Sequence, residues 1–194
     1  MTCDHHLILA SESPYKRRLF ARLGIPFDCA APNIEETRQE DEPPTDMTLR
    51  LAAEKALAVA KRAESSFILA ADQTIAIGDR IFHKPATAQR AKEQLSVLQG
   101  QSHRLINSVV LRKPGGTFTT TTSIYEMVMR PLSPAQISAY VEADRPLDCA
   151  GSYRIESQGI RLFEATRGDD PSAIEGLPLI GTWSLLLDAG WPHD

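Results

Sequence analysis

The sequence of 194 residues has little that would mark a disulfide-stapled, membrane-spanning or nucleic-acid-coating protein. Its three cysteines, Cys3, Cys29 and Cys149, are scattered and odd in number, with no C-x₂-C spacing. This excludes a thiolate metal knot and points to reduced thiols in a reducing compartment. No apolar run approaches the length needed to cross a bilayer. The opening MTCDHHLILASES has neither a basic n-region nor a long h-region, so a cytoplasmic protein is expected. The His5–His6 pair beside the terminus is read as incidental rather than metal-binding. A basic surplus is missing too: 21 Lys and Arg stand against 25 Asp and Glu, for a net charge of −4. That argues against a general binder of nucleic-acid polymers, although an acidic chain still binds a phosphate ligand where its few cations converge. There is no G-x-x-x-x-G-K-[ST] loop, no G-x-G-x-x-G turn, and no Ser-His-Asp or Cys-His set. Repeats, low-complexity segments and linkers are also lacking. What is present is ordinary for a globular protein, 42% hydrophobic and 24% charged. The length suits a single α/β domain over 1–194, or two small lobes.

Local signals outline the elements. HLILA (6–10) is a short strand, followed by a helix with Ser13 as N-cap, Pro14 at its first position and Gly24 as its stop. Residues 25–32 are expected to be extended and 33–46 to form an acidic, proline-broken loop. Leu49, Ala53, Ala56, Ala60 and Ala63 recur at helical period and mark a helix over 46–64. FILAAD then reads as a strand ending in Asp72, and TIAIGDRIF as a hairpin around Gly78-Asp79. Thr87 caps a helix that stops at Gly100. Two long strands follow within 103–130, joined at Pro114-Gly115-Gly116, and Ser133-Pro134 opens a short helix. The last segment carries CAGSYRIESQG, IRLFEATRGDD and a final helix in LPLIGTWSLLLDAG. This order predicts a mixed α/β fold, bilobal in one reading.

Several residues are out of place for folding alone. Lys16, Arg17 and Arg18 lie in the first turn of a helix, where the macrodipole disfavours cations by roughly 0.3–1 kcal/mol each. They either bend into water or, with the free amides of that turn, cradle an anion. Lys55 has Leu51, Ala52, Ala58 and Val59 as its helical neighbours, so it snorkels to solvent or reaches an anion supplied from elsewhere. Arg50, with Glu54 four residues on, reads as structural. Glu35 and Glu36 open an acidic loop whose later members, Glu40, Asp41 and Glu42, read as solvated. A carboxylate at the end of a strand, as expected for Asp72, either terminates a turn or faces the crevice where α/β sheets bind ligands and Mg²⁺. Lys84, just before Pro85, is presented from a rigid turn. His103 and Cys149 read as structural and packed.

Taken in order, LILASESP, IEET, RLAAEKA, AADQT, HKP, AGSY and EGLPLI resemble the Maf family of nucleotide pyrophosphatases over nearly the whole chain. The resemblance implies an inosine-triphosphatase-type mixed α/β fold with a central cleft between two lobes. It also implies a homodimer and a divalent cation, Mg²⁺ or Mn²⁺. The implied reaction cleaves a nucleoside triphosphate between its α and β phosphates. By motif, Asp72 is the proton acceptor and, with Glu36, the metal-site carboxylate. Ser11, Lys16, Arg17, Lys55 and Lys84 become the phosphate-binding set. Lys16 stands where the family usually shows arginine; it keeps the charge but not the bidentate fork, so either Lys16 or Arg17 makes the main contact. Tyr15, Gln73 and Glu156 resemble the branch that acts on 7-methyl-GTP rather than dTTP or UTP. The rationale is that N7-methylation makes the purine cationic, suited to an aromatic face or a carboxylate. Which of the three residues touches the base stays open. A nucleotide-binding regulator of septum formation and cell division is the reading from another class.

Overall fold

The computed structural model describes residues 6–191; Cys3 and His5 lie outside the described residues. The elements are β1 (Leu7–Leu9), α1 (Pro14–Phe20), β2 (Asp28–Cys29), α2 (Pro44–Ala60), β3 (Phe67–Ile77) and β4 (Arg80–Phe82). They continue with α3 (Ala88–Leu98), β5 (Ser102–Arg112), β6 (Phe118–Met129), α4 (Pro134–Asp144), β7 (Phe163–Arg167) and α5 (Leu179–Asp188). The strands form a seven-stranded sheet ordered β2-β1-β3-β5-β6-β7, with β4 paired to β3. Among the described residues no helix is long and apolar enough to cross a membrane.

The chain forms two compact units. The first comprises the chain up to Gln73, Asn107–Ser123 and the chain from Asp170; the second comprises Thr74–Ile106 and Ile124–Asp169. Strands β3, β5 and β6 contribute residues to both. In the first unit β1 pairs in parallel with β2 and β3. Because strand side chains alternate between faces, odd-numbered Leu7, Leu9, Leu69 and Ala71 join Leu19, Phe20, Leu185 and Leu186 of α1 and α5 in one core. Even-numbered Ile8, Ala10, Ile68 and Ala70 join Ala52, Ala56, Val59 and Ala60 of α2 in another. The second unit pairs β3 with β4 and β6 with β7, both antiparallel.

The caps form where local chemistry places them. Ser13 accepts from the Lys16 amide, Thr87 from that of Arg90, and Ser133 builds a full capping box with Gln136. Gly24 ends the first helical segment in the left-handed region (φ 72°), which glycine enters at no steric cost. Helix α2 starts earlier than expected, because Pro44 suits a first helical position, and it ends at Ala60 rather than 64. Its buried side is centred on Ala52, Lys55, Ala56 and Val59, and Leu49 and Ala53 flank it. In the last segment, 3₁₀ turns span Ala150–Ser152 and Gln158–Leu162, and only Phe163–Arg167 is strand.

The expected end of the third strand is corrected. FILAAD does not end at Asp72; β3 runs eleven residues without a break, from Phe67 through Asp72 to Ile77, and only then turns at Gly78-Asp79. No glycine or proline interrupts the run, and Lys55 neutralises the acid where it stands, so the chain need not turn outward to solvate it. The partner strand does end: the parallel ladder stops at Leu9↔Leu69. Asp72 therefore lies roughly 10 Å beyond the carboxyl end of β1, at about 3.3 Å per residue.

Candidate active site

The period of β3 sets the site. Asp72 continues the row of Ile68 and Ala70 toward α2, and there it meets Lys55. The Lys55 Nζ donates to Asp72 Oδ1 at 2.6 Å and contacts Glu36 Oε1 at 2.7 Å. Lys55 and Asp72 are only 6% and 5% exposed; Glu36 comes in from the exposed loop before α2. Burial alone pulls the Lys55 pKa down, but the Asp72 and Glu36 carboxylates more than offset it, so the pKa is raised above the ordinary lysine value. The anion that Lys55 reaches is thus the protein's own, an arrangement that pairs a buried cation with one buried carboxylate, Asp72, and one exposed carboxylate, Glu36.

Helix α1 divides its cations, and it is so short that Arg17 and Arg18, expected in its first turn, fall in its last, where the macrodipole favours them. Lys16 folds back onto β3 and donates from Nζ to the carbonyl of Ala71, next to Asp72, at 3.0 Å. Arg17 is exposed and lines a different feature, an open groove of about 670 Å³ shared with Pro14, Arg18, Phe27 and Cys29. Arg18 stands over the Tyr15 ring, 5.6 Å from its centroid, a cation–π geometry. Ser11, in the loop after β1, accepts from the Ser13 amide at 3.1 Å. Gln73 projects to the face opposite Asp72, where Nε2 donates to the Ala173 carbonyl at 3.1 Å. Buried Asn107 donates to the same carbonyl at 3.1 Å.

Lys84 and Glu156 belong to the second unit, and both are exposed. The turn that carries Lys84 is tied on either side: Gln94 donates to the His83 carbonyl, and the Ala86 amide to that of Leu147. Glu156 rides on a strapped turn. The Arg154 amide donates to Tyr140 Oη at 3.0 Å, and Ser157 Oγ to Asp144 Oδ1 at 2.6 Å. His103 is 2% exposed, holds Tyr153 Oη at 3.0 Å through Nε2, and has its pKa pushed down to about 4 by burial. A histidine so enclosed is structural. Burial raises the Cys149 thiol to about 11, so it carries little thiolate at neutral pH.

Glu36, Lys55 and Asp72 are therefore in contact, with Lys16 at the adjoining residue, while Tyr15 and Gln73 belong to the α1 side of the sheet. Glu42 corrects the sequence reading: it is not solvated like Glu40 and Asp41 but buried. Arg50 Nε and Nη2 donate to its Oε1 and Oε2 at 2.6 and 2.7 Å. Helical spacing had paired Arg50 with Glu54, a contact that also forms at 3.0 Å. No local spacing rule spans the loop-to-helix boundary that separates Glu42 from Arg50.

Among the described residues no three His, Cys, Asp or Glu side chains gather as a metal cage. Glu36 and Asp72 nonetheless suit a hard cation. Mg²⁺ takes oxygen donors, is commonly held by one or two carboxylates, and fills its shell with water and phosphate oxygens.

The sequence model of Maf-like protein matches residues 6–189. A 7-methyl-GTP pyrophosphatase of Alkalilimnicola ehrlichii is 40% identical over 187 residues, covering 96% of this chain and 94% of that protein. The protein of that name from Nitrosococcus oceani is 39% identical over 187 residues, with the same coverage of both chains. Among solved structures, the Staphylococcus aureus Ham1 protein aligns at 15% identity with a TM-score of 0.48, covering 64% of this chain and 71% of that one. A nucleoside-triphosphatase / dITP/XTP pyrophosphatase from Mycobacterium abscessus aligns at 17% identity with a TM-score of 0.42, covering 72% and 95%. With the family match running from the first strand through the last helix, the chain belongs to the Maf-like protein family.

Proposed function

We propose that this protein is a nucleoside triphosphate pyrophosphatase that converts 7-methyl-GTP and water to 7-methyl-GMP and pyrophosphate. The observation that carries the reading is the largely buried Lys55 ammonium set between the carboxylates of Asp72 and Glu36. The near-full-length relatives that bear the name 7-methyl-GTP pyrophosphatase support it.

Glu36 and Asp72 are the residues that would hold a divalent cation, Mg²⁺ or Mn²⁺, which when bound offsets triphosphate charge and lowers the pKa of water. Asp72 accepts the proton of the attacking water at its carboxylate as the water oxygen bonds to the α-phosphorus, the bond from that phosphorus to the α–β bridging oxygen breaks, and pyrophosphate leaves with the bridging oxygen. Lys55 keeps its charge, holds the two carboxylates at a fixed spacing and offers an ammonium to the developing phosphate charge. Of the α1 cations, Lys16 is the phosphate contact in this reading, because it already reaches the residue beside Asp72. Ser11 and Lys84 complete the phosphate set, and Arg17 is secondary. Tyr15, Gln73 and Glu156 select the base, with the aromatic face and the carboxylate both suited to a cationic purine. The same reading takes the enzyme to be a cytoplasmic homodimer that acts on free nucleotides.

Competing 7-methyl-GTP against dTTP and UTP, with pyrophosphate release as the readout, tests the substrate. A preference for 7-methyl-GTP that EDTA abolishes is expected. A pyrimidine preference would move the protein to the dTTP/UTP branch, and no release from any of the three would sink the enzymatic reading.

A further inference from the structure

The loop that presents Glu36 has neither helix nor strand before Pro44, and the Glu36 side chain is 56% exposed. Packing of that side chain therefore does little to hold it against Lys55. The loop enters and turns through left-handed backbone at Asn33 (φ 48°) and Asp41 (φ 53°), residue types that tolerate it. The guanidinium of Arg50 reaches across it. Besides its two bonds to Glu42, Arg50 Nη2 donates to the carbonyl of Thr37, the residue after Glu36, at 3.0 Å. Glu42 passes the restraint on: its Oε2 accepts from the Gln39 amide at 3.1 Å, and its carbonyl accepts from Arg38 Nε and Nη2 at 2.9 and 2.6 Å. One planar fork thus grips the loop at Thr37 and Glu42, on the C-terminal side of Glu36.

We propose that Arg50 is a positioning residue which, through Glu42 and the Thr37 carbonyl, holds the 34–42 loop so that Glu36 stands against Lys55 and Asp72. The metal role of Glu36 rests on the function proposed above; the restraint of the loop does not. A lysine cannot replace this grip, because a point charge lacks the fork that spans a carboxylate and a carbonyl together. The sequence pairing of Arg50 with Glu54 accounts for one of its nitrogens, Nη1, and leaves the other two to this task.

The test uses the full chain as wild type, Arg50→Met, Arg50→Lys, Glu42→Gln, Glu36→Gln and the double variant Arg50→Met/Glu36→Gln. Hydrogen exchange of residues 34–42, Mn²⁺ binding without nucleotide by electron paramagnetic resonance, and 7-methyl-GTP hydrolysis against Mg²⁺ concentration are measured. Arg50→Met should speed exchange in the loop while leaving β3 protected. It should also weaken Mn²⁺ binding about tenfold, the scale on which supporting residues act on a metal site. The Mg²⁺ needed for half-maximal rate should rise by a similar factor, with kcat at saturating metal within about threefold of wild type. Arg50→Lys should fall between, and Glu42→Gln should give the same pattern more weakly should Arg50→Met fail to fold. The double variant should be no worse than Glu36→Gln alone, since coupled residues are not additive. Unchanged loop exchange, or additive losses in the double variant, would overturn the proposal. If wild type releases no pyrophosphate from any nucleotide, the proposed function falls, and the exchange and Mn²⁺ measurements still decide the role of Arg50.

Discussion

Lys55 and Arg50 both project from α2, and each meets two carboxylates: Asp72 and Glu36 for Lys55, Glu42 and Glu54 for Arg50. Their surroundings differ. Lys55 is a point charge in the interior, touching one oxygen of each partner, with its Asp72 partner equally buried. Arg50 is 21% exposed, bonds both oxygens of Glu42, and adds a backbone carbonyl. The fork fixes geometry through several bonds, whereas the ammonium is a single charge shared by the two carboxylates, which in the proposed reading a bound cation would draw on and a phosphate would share. The group we propose for catalysis and the group we propose to position its neighbour thus sit on one helix, told apart by burial and by how many bonds each makes to a partner.

The largest expected contrast is in stability. Lys55→Met leaves Asp72 buried with no cation in contact, and removing one partner of a buried pair costs about 3–5 kcal/mol. Urea unfolding should show a loss of that order, clearly larger than for Arg50→Met. Equal losses would erase the distinction.

The two clusters should also fail at opposite ends of the pH scale. Lys55 has a folded pKa raised above its unfolded value near 10.4. Its contribution is therefore complete below that value and lost as pH rises through the folded one. Glu42 is shifted the other way, chiefly by the Arg50 hydrogen bond. Its contribution is present above the unfolded value and lost as pH falls through the folded one. Alkaline unfolding should be steeper in wild type than in Lys55→Met, and acid unfolding steeper in wild type than in Glu42→Gln. His103, neutral in the fold with a pKa of about 4 against an ordinary 6.5, destabilises every variant as pH falls from 6.5 toward 4. The acid limb is accordingly read as a difference between wild type and Glu42→Gln.

A smaller effect is expected away from α2. For 7-methyl-GTP relative to GTP, Glu156→Gln should lower kcat/KM by about 10–100-fold if a charge-assisted contact of about 1.5–3 kcal/mol is lost, and Tyr15→Ala by about 2–30-fold if a cation–π contact of about 0.5–2 kcal/mol is lost. Unaltered selectivity in both would remove them from base recognition and leave Gln73 as the remaining candidate of the three.

What the sequence made legible follows from range. Ser13, Thr87 and Ser133 cap their helices with amides three residues away, and Gly78-Asp79 turns a hairpin, so both could be read locally. Lys55 was conspicuous because its helical neighbours offered no anion. Its partners come from a strand and a loop, which no spacing on α2 could name. Asp72 was misplaced at a strand end because charge inside a strand is costly by itself, and the lysine that makes it tolerable lies on another element. The opposite faces of Asp72 and Gln73 follow from a two-residue period once β3 is known to continue through both. Lys16 and Arg17 look alike in sequence, and only the closeness of α1 to β3 separates them. Glu42 reads as a solvated acid because an acidic, proline-broken run carries no sign that an arginine beyond the next turn gathers it in.

The most direct measurement is pyrophosphate release from 7-methyl-GTP with Mg²⁺ by Asp72→Asn, whose side chain keeps the size of the original and can still face Lys55. A folded protein by circular dichroism with turnover reduced roughly 10²–10⁴-fold, the range for a lost general base, is the expected result. A folded variant that hydrolyses the nucleotide at near the wild-type rate would contradict the assignment of Asp72, and with it the catalytic reading of the Lys55 cluster.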